Sequence, residues 1–295
     1  MRKRRLGRTD IVVNPLGFGG ARIGFEHASQ TEVDRIMDTL LDVDCIFVDT
    51  ASSYAGSEAL IGNAIKGRRD RFVLATKTPN VPGDGTGLNW SGKSIEQAID
   101  SSLSNLRTDY LDVVHLHGAS FKTLMDGDAV NAIQKAQKSG KCKYIGFSGD
   151  GSAAMAAIKL EVFDTLQTSF NLVDQKACTE ILPVARAAEL GIIAKRPLAN
   201  GTFGKTRSPY EYADEYFERT RDIRVPAGGP LDPYELSLRF ALSNSMIDIC
   251  IVGTTCADHI VDNARSMAKG KLSDEIIASL VQQFAELGKE WEPLN

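Results

Sequence analysis

The chain has 295 residues, enough for two ordinary domains or for one large α/β barrel. Apolar residues make up 43% and charged residues 24%, which excludes a disordered composition. The net charge of −4, with acids and bases interspersed, argues against nucleic acid as a partner, because such binders carry a basic domain or stripe.

The chain opens on Arg2-Lys3-Arg4-Arg5, read as a solvated basic start, and continues with Leu6-Gly7-Arg8-Thr9-Asp10 rather than an apolar signal core. The first strand is expected over 16–19. Ser29-Gln30-Thr31-Glu32 then reads as a capping box, in which the serine oxygen and the glutamate side chain satisfy free amides reciprocally at a helix start. A second strand is expected over 46–48, a helix stop at a left-handed Gly67, and a third strand over 72–75. Ser94-Ile95-Glu96-Gln97 reads as another capping box, followed by a packing stripe of Ile95, Ala98, Ile99, Leu103 and Leu106. Strands follow over 111–116, 144–147, 165–167, 192–194 and 249–252, with Gly140 and Gly191 as further left-handed helix stops. The segment 201–231 is irregular and rich in Pro, Gly and Tyr, a composition suited to a lid or substrate loop. A last amphipathic helix spans 272–287. No stretch is long enough to span a bilayer. Cys45, Cys142, Cys178, Cys250 and Cys256 are scattered without metal-ligand spacing, so the expectation is a reduced, cytoplasmic protein with no metal site and no membrane.

Eight strands alternating with eight helices read as a (β/α)₈ TIM barrel, a single domain over 1–295. The competitor is a doubly wound open sheet, whose fingerprint needs a third glycine three residues after the second. With Gly17 and Gly19 as the first pair, that position is Arg22, so the barrel is preferred.

Active sites in such barrels lie at the C-terminal ends of the strands. Asp49 and Tyr54 follow the second strand, Lys77 the third, and His117 ends the fourth. Singly, each residue has an ordinary use: a cap, a packed ring, a solvated amine, a core imidazole. Together at one rim they suit carbonyl reduction. A free tyrosine, with a pKa of about 10, is a poor proton donor near neutrality. A neighbouring ammonium stabilises the phenolate, and a carboxylate can hold that ammonium in place. A histidine can orient or polarise the carbonyl, and the hydride must come from a cofactor.

These residues resemble the aldo-keto reductase family. Leu6-Gly7-Arg8-Thr9, Leu16-Gly17-Phe18-Gly19 and Asp49-Thr50-Ala51 … Tyr54 … Ser57-Glu58 match its opening pattern. Thr108-Asp109-Tyr110-Leu111-Asp112 … His115-Leu116-His117 matches its middle signature, and Ile145-Gly146-Phe147-Ser148, Pro197-Leu198 and Val252-Gly253-Thr254-Thr255 … Asp262-Asn263 its later blocks. The resemblance implies the same barrel, with Tyr54 as general acid/base, Lys77 and Asp49 tuning it, and His117 orienting the substrate. It also implies a nicotinamide cofactor bound across the barrel mouth. Gly20 and Ala21 would line that site, and Ser148 and Gln167 would bond the carboxamide. Leu198, Gly201 and Arg196 would lie by the pyrophosphate, Gly253, Thr254 and Thr255 by the adenosine phosphate, and Asp262 and Asn263, at a helix start, by the adenine. Where the family often places an aromatic residue against the nicotinamide, two before the Pro-Leu pair, this chain has Lys195. Where NADP-preferring members carry basic residues, it has Gly253 and His259. NADP(H) is favoured on family frequency, with NAD(H) possible.

The substrate expected is a small carbonyl compound or a sugar. Phe25, Trp90 in the loop 83–92 and the segment 210–217 are candidate pocket walls, and His115 is expected in the interior. Alternative readings are a sugar or polyol dehydrogenase working oxidatively, or a nicotinamide-sensing regulatory subunit. The intact Asp49, Tyr54, Lys77 and His117 set speaks against the sensor, which needs no proton donor. A metal-dependent hydrolase would want clustered ligands, and the chain has four histidines in all.

Overall fold

A computed structural model describes residues 2–79, 89–292 and 294. Eight parallel strands close a barrel: β1 (Leu16–Gly19), β2 (Phe47–Asp49), β3 (Val73–Thr78), β4 (Leu111–His117), β5 (Cys142–Ser148), β6 (Thr165–Ser169), β7 (Gly191–Lys195) and β8 (Ile249–Val252). Each pairs with its sequence neighbours, and β8 returns to β1 through Cys250 opposite Leu16. All eight expected strands are present, several one to three residues longer than their apolar runs.

Side chains alternate across each strand, and the alternation divides the core in two. Val48, Leu74, Val114, Leu116, Ile192 and Cys250 face outward into the main cluster beneath the helices. The helix Gln30–Asp42 meets that cluster with Val33, Ile36, Met37 and Leu40, all fully buried, at roughly 1.5–3 kcal/mol for each side chain. Phe47, Ala75, Val113, Ile193 and Ile249 face inward and form a second cluster inside the barrel. Continuing the same alternation upward brings Asp49, Lys77, His117 and Lys195 to the inward face near the C-terminal rim.

The barrel floor was not anticipated. Arg4–Arg5 and Val12–Val13 pair antiparallel, and Leu6, Ile11 and Val13 from this hairpin pack into the inner cluster. The basic start is therefore partly structural: Arg4 donates to the carbonyls of Leu242 (2.8 Å) and Ile247 (2.5 Å). Gly191 is explained here as well. It is not a left-handed stop but the first residue of β7, where an added Cβ would lie 2.5 Å from Leu6 Cγ. Gly67 and Gly140 do have positive φ, +77° and +78°.

Helix ends and number also depart from expectation. The capping box at Ser29 and Glu32 is present. That at Ser94 is not: the helix Gly92–Asn105 begins earlier, capped by Ser91, whose oxygen accepts from the Ser94 amide. The described residues hold thirteen α-helical segments rather than eight, since several connections carry short extra turns. The irregular segment 201–231 includes one of them, Asp214–Thr220, whose Tyr216 is buried and donates to Asp174. Of the candidate pocket loop 83–92, residues 83–88 lie outside the described residues, and Trp90 packs against the main core. Among the described residues no helix is long and apolar enough to cross a membrane.

Candidate active site

Three strand ends supply the centre of the site. Asp49 closes β2 with 2% exposure, and its Oδ2 accepts from Lys77 Nζ on β3, itself 1% exposed. Lys77 also donates to the carbonyl of Thr50 (2.8 Å). Tyr54 stands in the turn after β2, held by its amide on the carbonyl of Ala51 (3.0 Å), with the Lys77 ammonium 5.0 Å from its ring centroid. The ring lies edge-on between Phe25 (5.4 Å) and His117 (6.0 Å).

Gln167 on β6 extends this set, donating to Asp49 Oδ1 (2.9 Å) and accepting from Ser148 Oγ on β5 (2.9 Å). Ser148, Gln167, Asp49 and Lys77 thus form one hydrogen-bonded chain across the barrel, with the Tyr54 ring beside its Lys77 end. Burial alone would lower Lys77, but the Asp49 carboxylate and the Tyr54 hydroxyl hold it above its ordinary pKa, so the ammonium form is retained. Burial, aided by the Lys77 charge, pushes both His115 and His117 down to about 3, leaving both imidazoles neutral. His115 lies inside as expected, bonded through Nε2 to Thr165 Oγ1 (3.0 Å). Gly146 makes room for it, since a Cβ there would sit 2.4 Å from the His115 ring.

A cavity of about 820 Å³ opens above this centre, lined by Asp49, Tyr54 and His117. Most of the other expected residues line it too: Ala21, Ser148, Gln167, Arg196, Leu198, Gly201, Gly253, Thr254, Thr255, His259, Asp262 and Asn263. Gly20 does not; it backs onto the end of β2, where a Cβ would meet Ser57 Oγ at 2.8 Å. Asp262 and Asn263 are not at a helix start, because their helix runs Ala257–Ala268, so side chains rather than free amides reach the cavity from its second turn. Arg196 is already engaged, donating to Ser169 Oγ (3.3 Å) and to the carbonyl of Leu294 (2.7 Å). Of the candidate walls, Phe25, Tyr210 and Tyr212 line the cavity.

Several features escaped the sequence reading. Arg22 donates to Glu26 and to the Tyr210 hydroxyl, Tyr210 donates to Glu26, and Thr255 Oγ1 donates to Glu26 Oε2 (3.1 Å). This latch ties the segments after β1, β7 and β8 together beside the cavity. Burial opposes the Glu26 charge, but these donors hold its carboxyl below the usual range. Lys195 pairs with Asp150 at 2.7 Å. The buried Nδ2 of Asn200 lacks a hydrogen-bond partner among the described residues, and the same residue lines the cavity. No cluster of metal-ligating side chains occurs among the described residues.

The arrangement offers a hydroxyl backed by an ammonium and a neutral imidazole facing one point of an open cavity, a geometry suited to giving a proton to a carbonyl oxygen. The chain is 26% identical to the uncharacterized oxidoreductase YqkF of Bacillus subtilis over 95% of each chain. It is 23% identical to L-galactose dehydrogenase of Arabidopsis thaliana, covering 90% of this chain and 88% of that protein. The holo form of the aldo-keto reductase AKR11C1 from Bacillus halodurans superposes with a TM-score of 0.80 at 27% identity, over 97% and 96% of the two chains. The pattern of the Aldo/keto reductase family matches residues 15–283, and the chain belongs to that family of NAD(P)-dependent oxidoreductases.

Proposed function

We propose that the protein reduces a small aldehyde or ketone to the alcohol, with Tyr54 giving the proton and a bound nicotinamide dinucleotide supplying the hydride. The observation that carries this reading is the chain from Ser148 through Gln167 and Asp49 to Lys77, whose ammonium lies beside the Tyr54 ring, with neutral His117 on the ring's edge. Asp49 fixes Lys77, and Lys77 balances the phenolate left after proton transfer. His117, neutral at working pH, donates a hydrogen bond to the carbonyl oxygen without competing as an acid. The cavity suits an anionic dinucleotide: Arg22, Arg196 and Lys205 line it, and Asn200 offers a buried donor that has no partner among the described residues. Ser148 and Gln167 would hold the carboxamide, and the loop 253–255 with His259, Asp262 and Asn263 the adenosine end. NADPH is proposed ahead of NADH on the frequency of that preference in the family.

The same site run in reverse oxidises an alcohol, and the likeness to L-galactose dehydrogenase supports a sugar as substrate in that direction. Loss of nicotinamide absorbance with an aromatic aldehyde, and its gain with a panel of sugars and oxidised cofactor, separates the two. Tyr54→Phe should lower turnover about 10²- to 10⁴-fold while cofactor binding stays within a factor of a few. Turnover near the parent level in that variant rules out the role given to Tyr54.

A further inference from the structure

Tyr54 is carried by a turn with little packing at its tip. Ala55 and Gly56 are exposed, and a Cβ on Gly56 would meet nothing among the described residues within 4 Å. The turn is fixed at its base instead. Thr50 and Ser57, at the two ends of the segment, are 1% and 0% exposed, and their hydroxyl oxygens lie 3.0 Å apart. Ser57 Oγ donates its single proton to the carbonyl of Gly20 (2.9 Å), so Thr50 Oγ1 is the donor of the pair. The Gly20 amide in turn donates to the carbonyl of Asp49 (2.6 Å), which closes a ring of contacts at the strand ends. Neither Thr50 nor Ser57 lines the cavity, so neither touches a ligand held there.

Thr50 also holds the other partner of Tyr54. Its carbonyl accepts from Lys77 Nζ (2.8 Å), so one residue fixes the ammonium with its backbone and the Tyr54 turn with its side chain. Gly20 supplies a second hold. It leads into the short helix Ala21–Phe25, whose Gly24 backs onto the turn: a Cβ there would lie 2.9 Å from the Tyr54 carbonyl carbon. The Phe25 ring of the same helix meets the Tyr54 ring. We propose that Thr50 and Ser57 are positioning residues for Tyr54, their buried hydroxyl pair clasping the turn and holding the ring beside the Lys77 ammonium. The inference rests on the proton-donor reading of Tyr54 above. An apolar pair of the same shape would fill the space as well, so what the hydroxyls add is direction, because a hydrogen bond weakens steeply as it bends. Proton transfer is sensitive to such placement, since a misplacement of about 1 Å can cost roughly 10²-fold in rate.

Stopped-flow mixing of the full chain, loaded with NADPH, against para-nitrobenzaldehyde reads a single turnover and leaves product release out of the rate. Thr50→Val keeps the shape and removes the donor. In that variant the single-turnover rate is expected to fall about 10- to 100-fold, while NADPH affinity stays within about twofold. The solvent deuterium isotope effect on the rate rises, because proton transfer now limits it, and Thr50→Ser restores both. A residue that only supports the fold would lower the melting midpoint and the fraction of active sites, with the isotope effect per site unchanged. Ser57→Ala is expected to show the same fall, and carries the comparison alone should Thr50→Val not fold. The double variant Thr50→Val/Ser57→Ala should lose no more than the worse single one. A parent-like rate and isotope effect in the folded single variants, or losses that multiply in the double variant, overturn the proposal. Tyr54→Phe is run beside them. Full turnover there, or a silent parent, fails the proton-donor reading and the proposal with it, whereas a silent Tyr54→Phe beside an unaffected Thr50→Val fails the clasp alone.

Discussion

His115 gives the most direct test of the electrostatics inside the barrel. Its ring is 0% exposed, and burial with the Lys77 charge lowers its pKa from 6.5 to about 3. The unfolded chain takes up a proton on this ring near pH 6.5, whereas the folded chain does not until about pH 3. Stability is therefore full above pH 6.5 and falls as the pH drops through the window between those values. The slope is about 1.4 kcal/mol per pH unit for one proton, and the whole window amounts to roughly 5 kcal/mol. That is comparable to the total stability of many domains. His117 is lowered to the same value, but its ring opens onto the cavity and its share is smaller. Urea unfolding at several pH values between 4 and 7, for the parent and for His115→Asn, should give a steeper pH dependence in the parent by about 1.4 kcal/mol per unit. The comparison of slopes holds even though the variant is less stable at every pH. Equal slopes, or a His115 ring resonance that titrates near pH 6.5 in the folded protein, would refute the assignment of a neutral interior imidazole.

Lys77→Met should strand the Asp49 charge in the barrel and cost roughly 3–5 kcal/mol, read as a lower denaturation midpoint, with turnover lost in parallel. Gly191→Ala drives a Cβ to within 2.5 Å of Leu6 Cγ and should destabilise the protein by about 1–3 kcal/mol, measured by thermal unfolding, without altering ligand affinity at the far rim.

What was legible in the sequence was the part written in local pattern. Short apolar runs, most of them with β-branched residues, located every barrel strand, and what stands just past those runs gave Asp49, Tyr54, Lys77 and His117. The two-residue strands of the floor hairpin, Arg4–Arg5 and Val12–Val13, are too short to carry a period, and their pairing is set by contacts beneath the barrel. Ser94 reads as a cap because Ile95 follows it directly, whereas Ser91, three residues earlier, offers the same chemistry but is followed by Gly92-Lys93. The Lys195–Asp150 pair and the Arg22–Glu26–Tyr210 latch join residues 45 and up to 188 positions apart, and no local rule selects one partner at that separation. Glycines misled in one direction only. Gly191 was read for its backbone freedom, while its role is to leave space for Leu6.

The floor hairpin has a kinetic consequence. With Leu6, Ile11 and Val13 closing the lower end and the inner cluster filling the barrel, the cavity lined by the described residues opens at the rim, where Arg22, Glu26, Tyr210 and Thr255 join three loops. Two ligands that share that opening cannot come and go independently: the one seated deeper arrives first and departs last.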